Sequence, residues 1–478
     1  MEIKNLAPNI VWSIFDGMTK VPRPSKKEEK VRRWLVDWAA AHNVECRVDR
    51  TGNVLMRVPA TPGYEDRPTV VLQAHMDMVC EQNSGVNHDF ENDPIETFID
   101  GDWVKARGTT LGADDGIGVA LALAVMTDPD GKHGPLEALI TYDEETGLTG
   151  ANNLEAGFMT GKILVNIDSE TEGQIFIGCA GGKDTCALFR YAPIPAPDRY
   201  YAKIRVSGLV GGHSGSDIHL GHANANKVLA RFLLSQPDLI LASFCGGNLR
   251  NAIAREAEAV IGIPARRKDP LVADLNQYIA TVEDEVGDIE PNFRMNIETV
   301  ERPEHVIEPG VADKLLAALQ ACPHGVQCMS RSMDNLVETS TNLASVKMPE
   351  PGVIRVETSQ RSSVESEKED IAHTVRTVFE LAGAEVTQGQ GYPGWKPNLN
   401  SPVLAVFRQA YSDMYGKQPE VLAIHAGLET GLFLAKYPGM DMISVGPTMH
   451  GVHSPEERLS ISSVGRFYDY LKEALSRV

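Results

Sequence analysis

The chain has 478 residues, with 45 Lys+Arg against 65 Asp+Glu, and so a formal net charge of −20 at pH 7. Hydrophobic residues at 42% and charged residues at 23% fit a globular chain, and the length calls for more than one domain. With this acidity and no Lys/Arg block, nucleic acid and anionic membranes are not expected partners.

No apolar run approaches the 18 residues of a membrane span, and residues 1–5 lack a signal-peptide layout. Seven cysteines, scattered and odd in number, form neither a disulfide framework nor Cys-x-x-Cys pairs. A reducing, cytoplasmic setting is therefore expected.

In chain order, residues 10–18 read as a short helix closed before Pro22 and Pro24. Ser25-Lys26-Lys27-Glu28 has capping-box spacing, with Ser25 as N-cap and Glu28 as its reciprocal partner. In the helix that follows, Val31, Trp34, Leu35 and Trp38 form one apolar stripe, expected to be core. Residues 45–49 and 54–59 read as a hairpin around Thr51-Gly52-Asn53. Residues 69–74 are a continuous apolar strand, of the kind buried on both faces of a mostly parallel sheet. That strand ends at His75-Met76-Asp77.

Leu111-Gly112-Ala113-Asp114-Asp115-Gly116-Ile117-Gly118 puts two carboxylates between glycines, ahead of a helix over 119–126. Acidic groups at a helix start can be simple caps, favoured by the helix dipole. Strand 136–142 ends at Asp143-Glu144-Glu145, strand 162–167 at Asp168, and strand 442–445 runs into a loop holding His450 and His453. Ligands of such sheets gather beyond the carboxyl ends of strands. Four strands delivering His or carboxylate residues there point to one shared site.

Residues 183–393 change character. Strands alternate with amphipathic helices in two loosely similar sets, as in helices layered on an antiparallel sheet. The expected organisation is an α/β catalytic domain, in segments 1–182 and 394–478, interrupted by an inserted α+β domain at 183–393.

His75, Asp114, Glu145, Asp168 and His453 offer two imidazoles and three carboxylates. A mononuclear catalytic zinc needs only three protein ligands and an open position. Five suit two ions when one carboxylate bridges, about 3.5–4 Å apart with a hydroxide between them. Adjacent Glu144 and Glu145 suit a division of labour, one directed at metal and one at water, and spacing does not say which does which.

The run from His75-Met76-Asp77 through Asp114-Asp115-Gly116, Glu144-Glu145, Asp168 and His453-Ser454-Pro455 resembles the co-catalytic zinc peptidases related to aminoacylase and carboxypeptidase G. The stretch 75–118, together with Gly246-Gly247-Asn248-Leu249-Arg250-Asn251 and His425-Ala426-Gly427-Leu428-Glu429-Thr430, is similar to the Xaa-His dipeptidase family. The resemblance implies Asp114 as the bridge, His75 and Asp168 on one ion, and Glu145 and His453 on the other. It also implies Glu144 as general base and Asp77 as the carboxylate orienting His75. Two Zn2+ are expected, with Co2+ or Mn2+ able to occupy the same donors. The implied activity is hydrolysis of small peptides, Xaa-His dipeptides included, and homodimerisation is left open. An N-acyl amino acid deacylase with the same centre and a non-catalytic binding relative are the alternatives.

Other readings attach to single residues. His75 could be a satisfied strand-end histidine, and the Glu144-Glu145 pair could be solvated. His450 competes with His453. Gly211-Gly212-His213-Ser214-Gly215 lacks the Lys-Ser/Thr of a phosphate loop, and the resemblance instead implies that His213 stabilises the oxyanion. His219 and His222 are expected at a helix start. Arg361 is a candidate clamp for a substrate carboxylate, or else a surface ion pair, and Asn251 a candidate extra donor. Glu429 could meet a substrate amine. Cys80 is expected to be a buried thiol rather than a nucleophile. The inserted domain is expected to act as a lid that supplies His213 and Arg361.

Overall fold

A computed structural model describes residues 2–478, which form two compact units. One comprises the chain up to Gly178 with Pro397–Ala423 and Leu428–Val478; the other comprises Cys179–Lys396 with Ile424–Gly427.

The first unit is built on an eight-stranded sheet. Its spatial order is Glu45–Val48, Val54–Val58, Leu136–Thr141, Val70–His75, Ile163–Asn166, Asp441–Ser444, Gln174–Cys179 and Glu420–Ile424. The four strands from Leu136–Thr141 to Asp441–Ser444 run parallel, while the first hairpin and Gln174–Cys179 pair antiparallel. All six residues of Val70–His75 and of Leu136–Thr141 are buried, as continuous apolar strands covered on both faces should be. Helix Ala113–Thr127 packs on the Val70–His75 strand and on helix Asn9–Thr19. Register places His75 opposite Thr141, Gln73 opposite Asn166 and Asn166 opposite Ser444. The segments after these strands therefore leave the sheet at one edge.

The second unit is a nine-stranded antiparallel sheet. Its order runs from Arg294–Thr299 through Tyr200–Ser207, Ala257–Ile263, Ile240–Gly246, Val337–Glu350, Val353–Ser362 and Gly181–Arg190 to Glu385–Gln388, with Gly325–Met329 beside Val337–Glu350. Helices Ala225–Leu234, Lys268–Val286, Pro309–Ala321 and Glu365–Leu381 share one apolar core with it, in which Leu229, Leu275, Leu315 and Phe379 meet Ile204, Phe244, Ile261 and Val356.

Two local expectations fail. Ser25 does not cap: the helix is Glu29–Ala41, and the Ser25 hydroxyl donates to Asp77 Oδ2 at 2.8 Å. Glu28 Oε1 accepts from Lys26 N and Asp143 N instead of the Ser25 amide. A tertiary carboxylate has outcompeted the local motif. The tryptophan stripe is also only partly core. Val31, Leu35 and Ala39 are buried, whereas Trp34 and Trp38 sit at the boundary, Trp38 stacking on His42 with centroids 4.1 Å apart.

Candidate metal centre

The opening of helix Ala113–Thr127 is not regular helix. Gly112 has φ +71°, a left-handed conformation that glycine adopts without strain, and Asp114 and Asp115 depart from helical angles. The two aspartates consequently point to different partners. Asp114 Oδ1 lies 3.0 Å from His75 Nε2, and its Oδ2 lies 3.0 Å from His453 Nε2. Asp115 is fully buried and accepts from His75 N at 3.2 Å and Gly118 N at 3.1 Å. It ties the His75 backbone to the first turn of its own helix.

Around this axis the remaining groups fall into two halves. His75 Nε2 is 3.6 Å from Asp168 Oδ1, and His453 Nε2 is 3.1 Å from Glu145 Oε2. His75 Nδ1 lies 3.3 Å from Asp77 Oδ1. Asp77 is itself fixed: its oxygens accept from Glu144 N at 3.1 Å, Glu145 N at 3.2 Å and Ser25 Oγ. One buried carboxylate thus orients the imidazole and the backbone of both glutamates. His450 is exposed, its ring 5.5 Å from Trp103, and takes no part in the cluster.

Burial and like charge set the titration of these groups. Burial pushes Asp168 up to about 7, and Asp114 and Glu145 add to the shift. Glu144 is raised well above the usual carboxylate range by burial, with Asp168, Glu429 and Glu145 contributing. Burial opposes ionisation of Asp77, but the hydrogen bond and charge of His75 outweigh it and bring Asp77 down to about 2. His453 is pushed up to about 11 by its hydrogen bonds to Asp114 and Glu145.

Among the described residues no Lys or Arg side chain pairs with His75, Asp114, Glu145, Asp168 or His453. Glu145 Oε1 is buried without a hydrogen-bond partner. Ligand atoms of His75, Asp114 and Glu145 all lie within 4.8 Å of one another, and those of His75, Asp115 and Asp168 do likewise. Buried carboxylates crowded around imidazole nitrogens without a cation are costly. Nitrogen and oxygen donors of this kind fit divalent transition-metal ions.

The residues expected from the inserted segment lie in the second unit. His213 Nδ1 accepts from Gly215 N at 3.2 Å and Ser216 N at 3.1 Å. A neutral ring so held carries its proton on Nε2. Burial and Arg361 lower its pKa, which keeps it neutral. Arg361 is buried, and among the described residues no carboxylate forms an ion pair with it, contrary to the surface-pair reading. Its Nη1 donates to Tyr392 Oη at 3.0 Å, and its Nε has no partner. Arg361, Tyr392, Asn251 and Ser359 help line a cavity of about 370 Å³. His222 bonds to Gly211 O, and His219 lies in the short helical turn Ile218–Leu220, away from any acidic cluster. Cys80 is half-buried, and burial pushes its thiol up to about 11, the opposite of an activated nucleophile.

Four residues act here in ways the sequence did not announce, two of them, Ser25 and Glu429, having been given other roles above. Ser25 holds Asp77. Arg23, fully buried, donates to Met76 O at 3.1 Å, to Asp77 O at 2.8 Å and to Gly112 O. Glu457 accepts from four consecutive amides, residues 111–114. Glu429, considered above as a partner for a substrate amine, is buried, bonded to Gln73 Nε2 at 2.6 Å and Thr141 Oγ1 at 2.8 Å, and raised by burial to about 8. Arg23 and Glu457 carry no signal in the sequence beyond charge within otherwise apolar or turn-rich surroundings.

The model of peptidase family M20/M25/M40 matches residues 71–477. The chain belongs to that family. It is thus a peptide hydrolase of the metal-dependent class expected from the sequence. It is 43% identical to the cytosol non-specific dipeptidase of Escherichia coli (strain K12), over 100% of this chain and 99% of that one. The crystal structure of aminoacylhistidine dipeptidase from Vibrio alginolyticus matches with a TM-score of 0.96 and 44% identity, covering 100% of this chain and 98% of the other. Aminopeptidase PepT from Bacillus cereus ATCC 10987 matches over 99% of both chains with a TM-score of 0.58 and 16% identity, a likeness of fold alone.

Proposed function

We propose that this chain is a dipeptidase of broad specificity, Xaa-His dipeptides included, that works with two divalent cations, zinc in the first place. The observation that carries the reading is Asp114, whose two oxygens each face a different imidazole at 3.0 Å. Asp114 would be shared by the two ions, with His75 and Asp168 on one and Glu145 and His453 on the other. The names of the two full-length relatives support dipeptides as substrates and, for the Escherichia coli protein, the cytosol as the setting.

The bound ions would supply a nucleophilic water at neutral pH and polarise the scissile carbonyl. Glu144 takes the proton from that water and returns it to the leaving amine. Its place beside the cluster, with its backbone N–H held by Asp77, suits it to that shuttle. Asp77 fixes the His75 ring and, through two amide hydrogen bonds, the direction of Glu144 and Glu145. The second unit would act as the lid. His213, neutral with its Nε2–H free to donate, serves the oxyanion, and Arg361 receives the substrate carboxylate as a two-pronged donor pre-set by Tyr392.

The test is Glu144→Gln. Metal analysis is expected to find two ions per chain, as in the wild type, while dipeptide turnover falls by about 10²–10⁴-fold. Wild-type turnover in this variant would end the general-base assignment. A panel of dipeptides against N-acetyl amino acids separates the dipeptidase from a deacylase using the same centre.

A further inference from the structure

Glu457 is almost wholly buried, at 2% exposure, and its carboxylate spends all its hydrogen-bonding capacity on one stretch of backbone. Oε2 accepts from Leu111 N at 2.7 Å and Gly112 N at 2.9 Å; Oε1 accepts from Ala113 N at 2.6 Å and Asp114 N at 3.2 Å. Four successive amides converging on one carboxylate form a concave cradle, which an anion fills far better than a neutral group. The carbonyl side of the same loop is held by Arg23, whose guanidinium bonds Gly112 O and also Met76 O and Asp77 O, just beyond His75.

Glu457 stands four residues after His453. Between them Ser454 closes the turn, its hydroxyl bonding Gly451 O at 2.7 Å and its carbonyl accepting from Glu457 N at 3.0 Å. His453 and Glu457 thus leave one tight loop toward the same aspartate, the first to its carboxylate and the second to its backbone. Arg23 links the His75 segment to the Asp114 loop, and Glu457 links the Asp114 loop to the His453 loop.

We infer that Glu457 is a positioning residue for the metal centre, holding Asp114 so that one carboxylate serves both half-sites. The inference rests on the two-ion reading above. Glu457 lies behind Asp114 and touches neither ion nor substrate in this assignment. Glutamine is nearly isosteric but offers one acceptor oxygen and an NH2 that opposes two backbone N–H groups. Glu457→Gln therefore loses at least two of the four bonds while keeping the volume. Glu457→Asp keeps the charge with a shorter reach.

The full-length wild type and both variants would be stripped with chelator and titrated with Zn2+ by calorimetry and with Co2+ by visible absorption. Circular dichroism and thermal unfolding of the metal-free forms would report on the fold. The wild type is expected to bind two ions. Glu457→Gln should weaken binding at both sites by about 10–100-fold, the range typical of groups that orient a ligand, and alter the Co2+ spectrum. Glu457→Asp should fall between. A Glu457→Gln protein with a lowered melting temperature but wild-type affinities and Co2+ spectrum would be a purely structural variant and would overturn the inference. If Glu457→Gln does not fold, Glu457→Asp decides: weakened binding supports the inference and wild-type affinity overturns it. A wild type binding fewer than two ions would overturn the two-ion reading itself, and this inference with it, which sets that failure apart from the others.

Discussion

The two units carry polar groups of opposite kind. In the first, the candidate functional atoms are acceptors: Asp77, Asp114, Glu144, Glu145 and Asp168 gather around two imidazoles, and burial pushes several carboxyls up. In the second they are donors: Arg361 has an unpaired Nε, His213 is held as the tautomer with its proton outward, and Tyr392 braces the guanidinium. Acceptors without a cation call for metal, and donors without an anion call for carboxylate or oxyanion. On the function proposed above, the acceptors would take the ions and the donors the substrate's anionic groups.

The strongest way to break this contrast is at its acceptor end. Asp114→Ala is expected to lose both ions on dialysis and all measurable turnover, because each imidazole loses the same partner. Full two-ion occupancy by metal analysis would show that Asp114 is not shared. Asp115→Asn is the matched control. It keeps one acceptor oxygen for the His75 or Gly118 amide, so the expected loss is about 1–3 kcal/mol of stability in urea unfolding, with both ions retained.

At the donor end, Arg361→Ala should raise KM for dipeptides by about 10–100-fold, the cost of losing a charged hydrogen-bond pair. The same variant should leave dipeptide amides, which lack the carboxylate, nearly as they were. An equal effect on both substrates would remove Arg361 from the clamp. Tyr392→Phe, which frees the guanidinium without removing it, should shift KM in the same direction by less.

The same contrast explains what could be read from the sequence. The acceptor site was legible because parallel strands announce themselves as apolar runs, and a His or carboxylate at each end stands out: His75 after Val70–Ala74, Glu144-Glu145 after Leu136–Thr141, Asp168 after Ile163–Asn166. The second unit was less so. The fourteen-residue strand Val337–Glu350 was missed because its buried middle is polar, Thr339-Ser340-Thr341-Asn342. Its neighbour Gln360 is buried too, bonded to Thr185, Thr341 and Thr358. Such a ladder satisfies itself across strands, and no hydrophobic period marks it. Ser25, Arg23 and Glu457 were hidden for a related reason. Each acts on backbone or side chains far away in sequence, and local motifs such as the Ser25–Glu28 spacing pointed elsewhere.

The smallest expected effect tests whether the second unit depends on staying free of added positive charge. His425 is buried, its Nε2 2.7 Å from Ser340 Oγ, and burial, with Arg361, His213 and His219 around it, lowers its pKa from 6.5 to about 3. The folded state therefore keeps the neutral ring where the unfolded chain takes up a proton. As pH falls below about 6.5 the unfolded state binds more protons, so stability drops, by at most about 1.4 kcal/mol per pH unit until the folded ring itself titrates. Above 6.5 the group contributes no slope. In His425→Gln the residue can still pair with Ser340 but cannot titrate. Urea unfolding of the metal-free protein at pH 6.5 and pH 5, a window above most of the carboxylate range, should give a shallower acid loss in the variant than in the wild type. Equal slopes would mean that His425 accepts its proton in the folded state, and the neutral, donor-rich character of this unit would not extend to it.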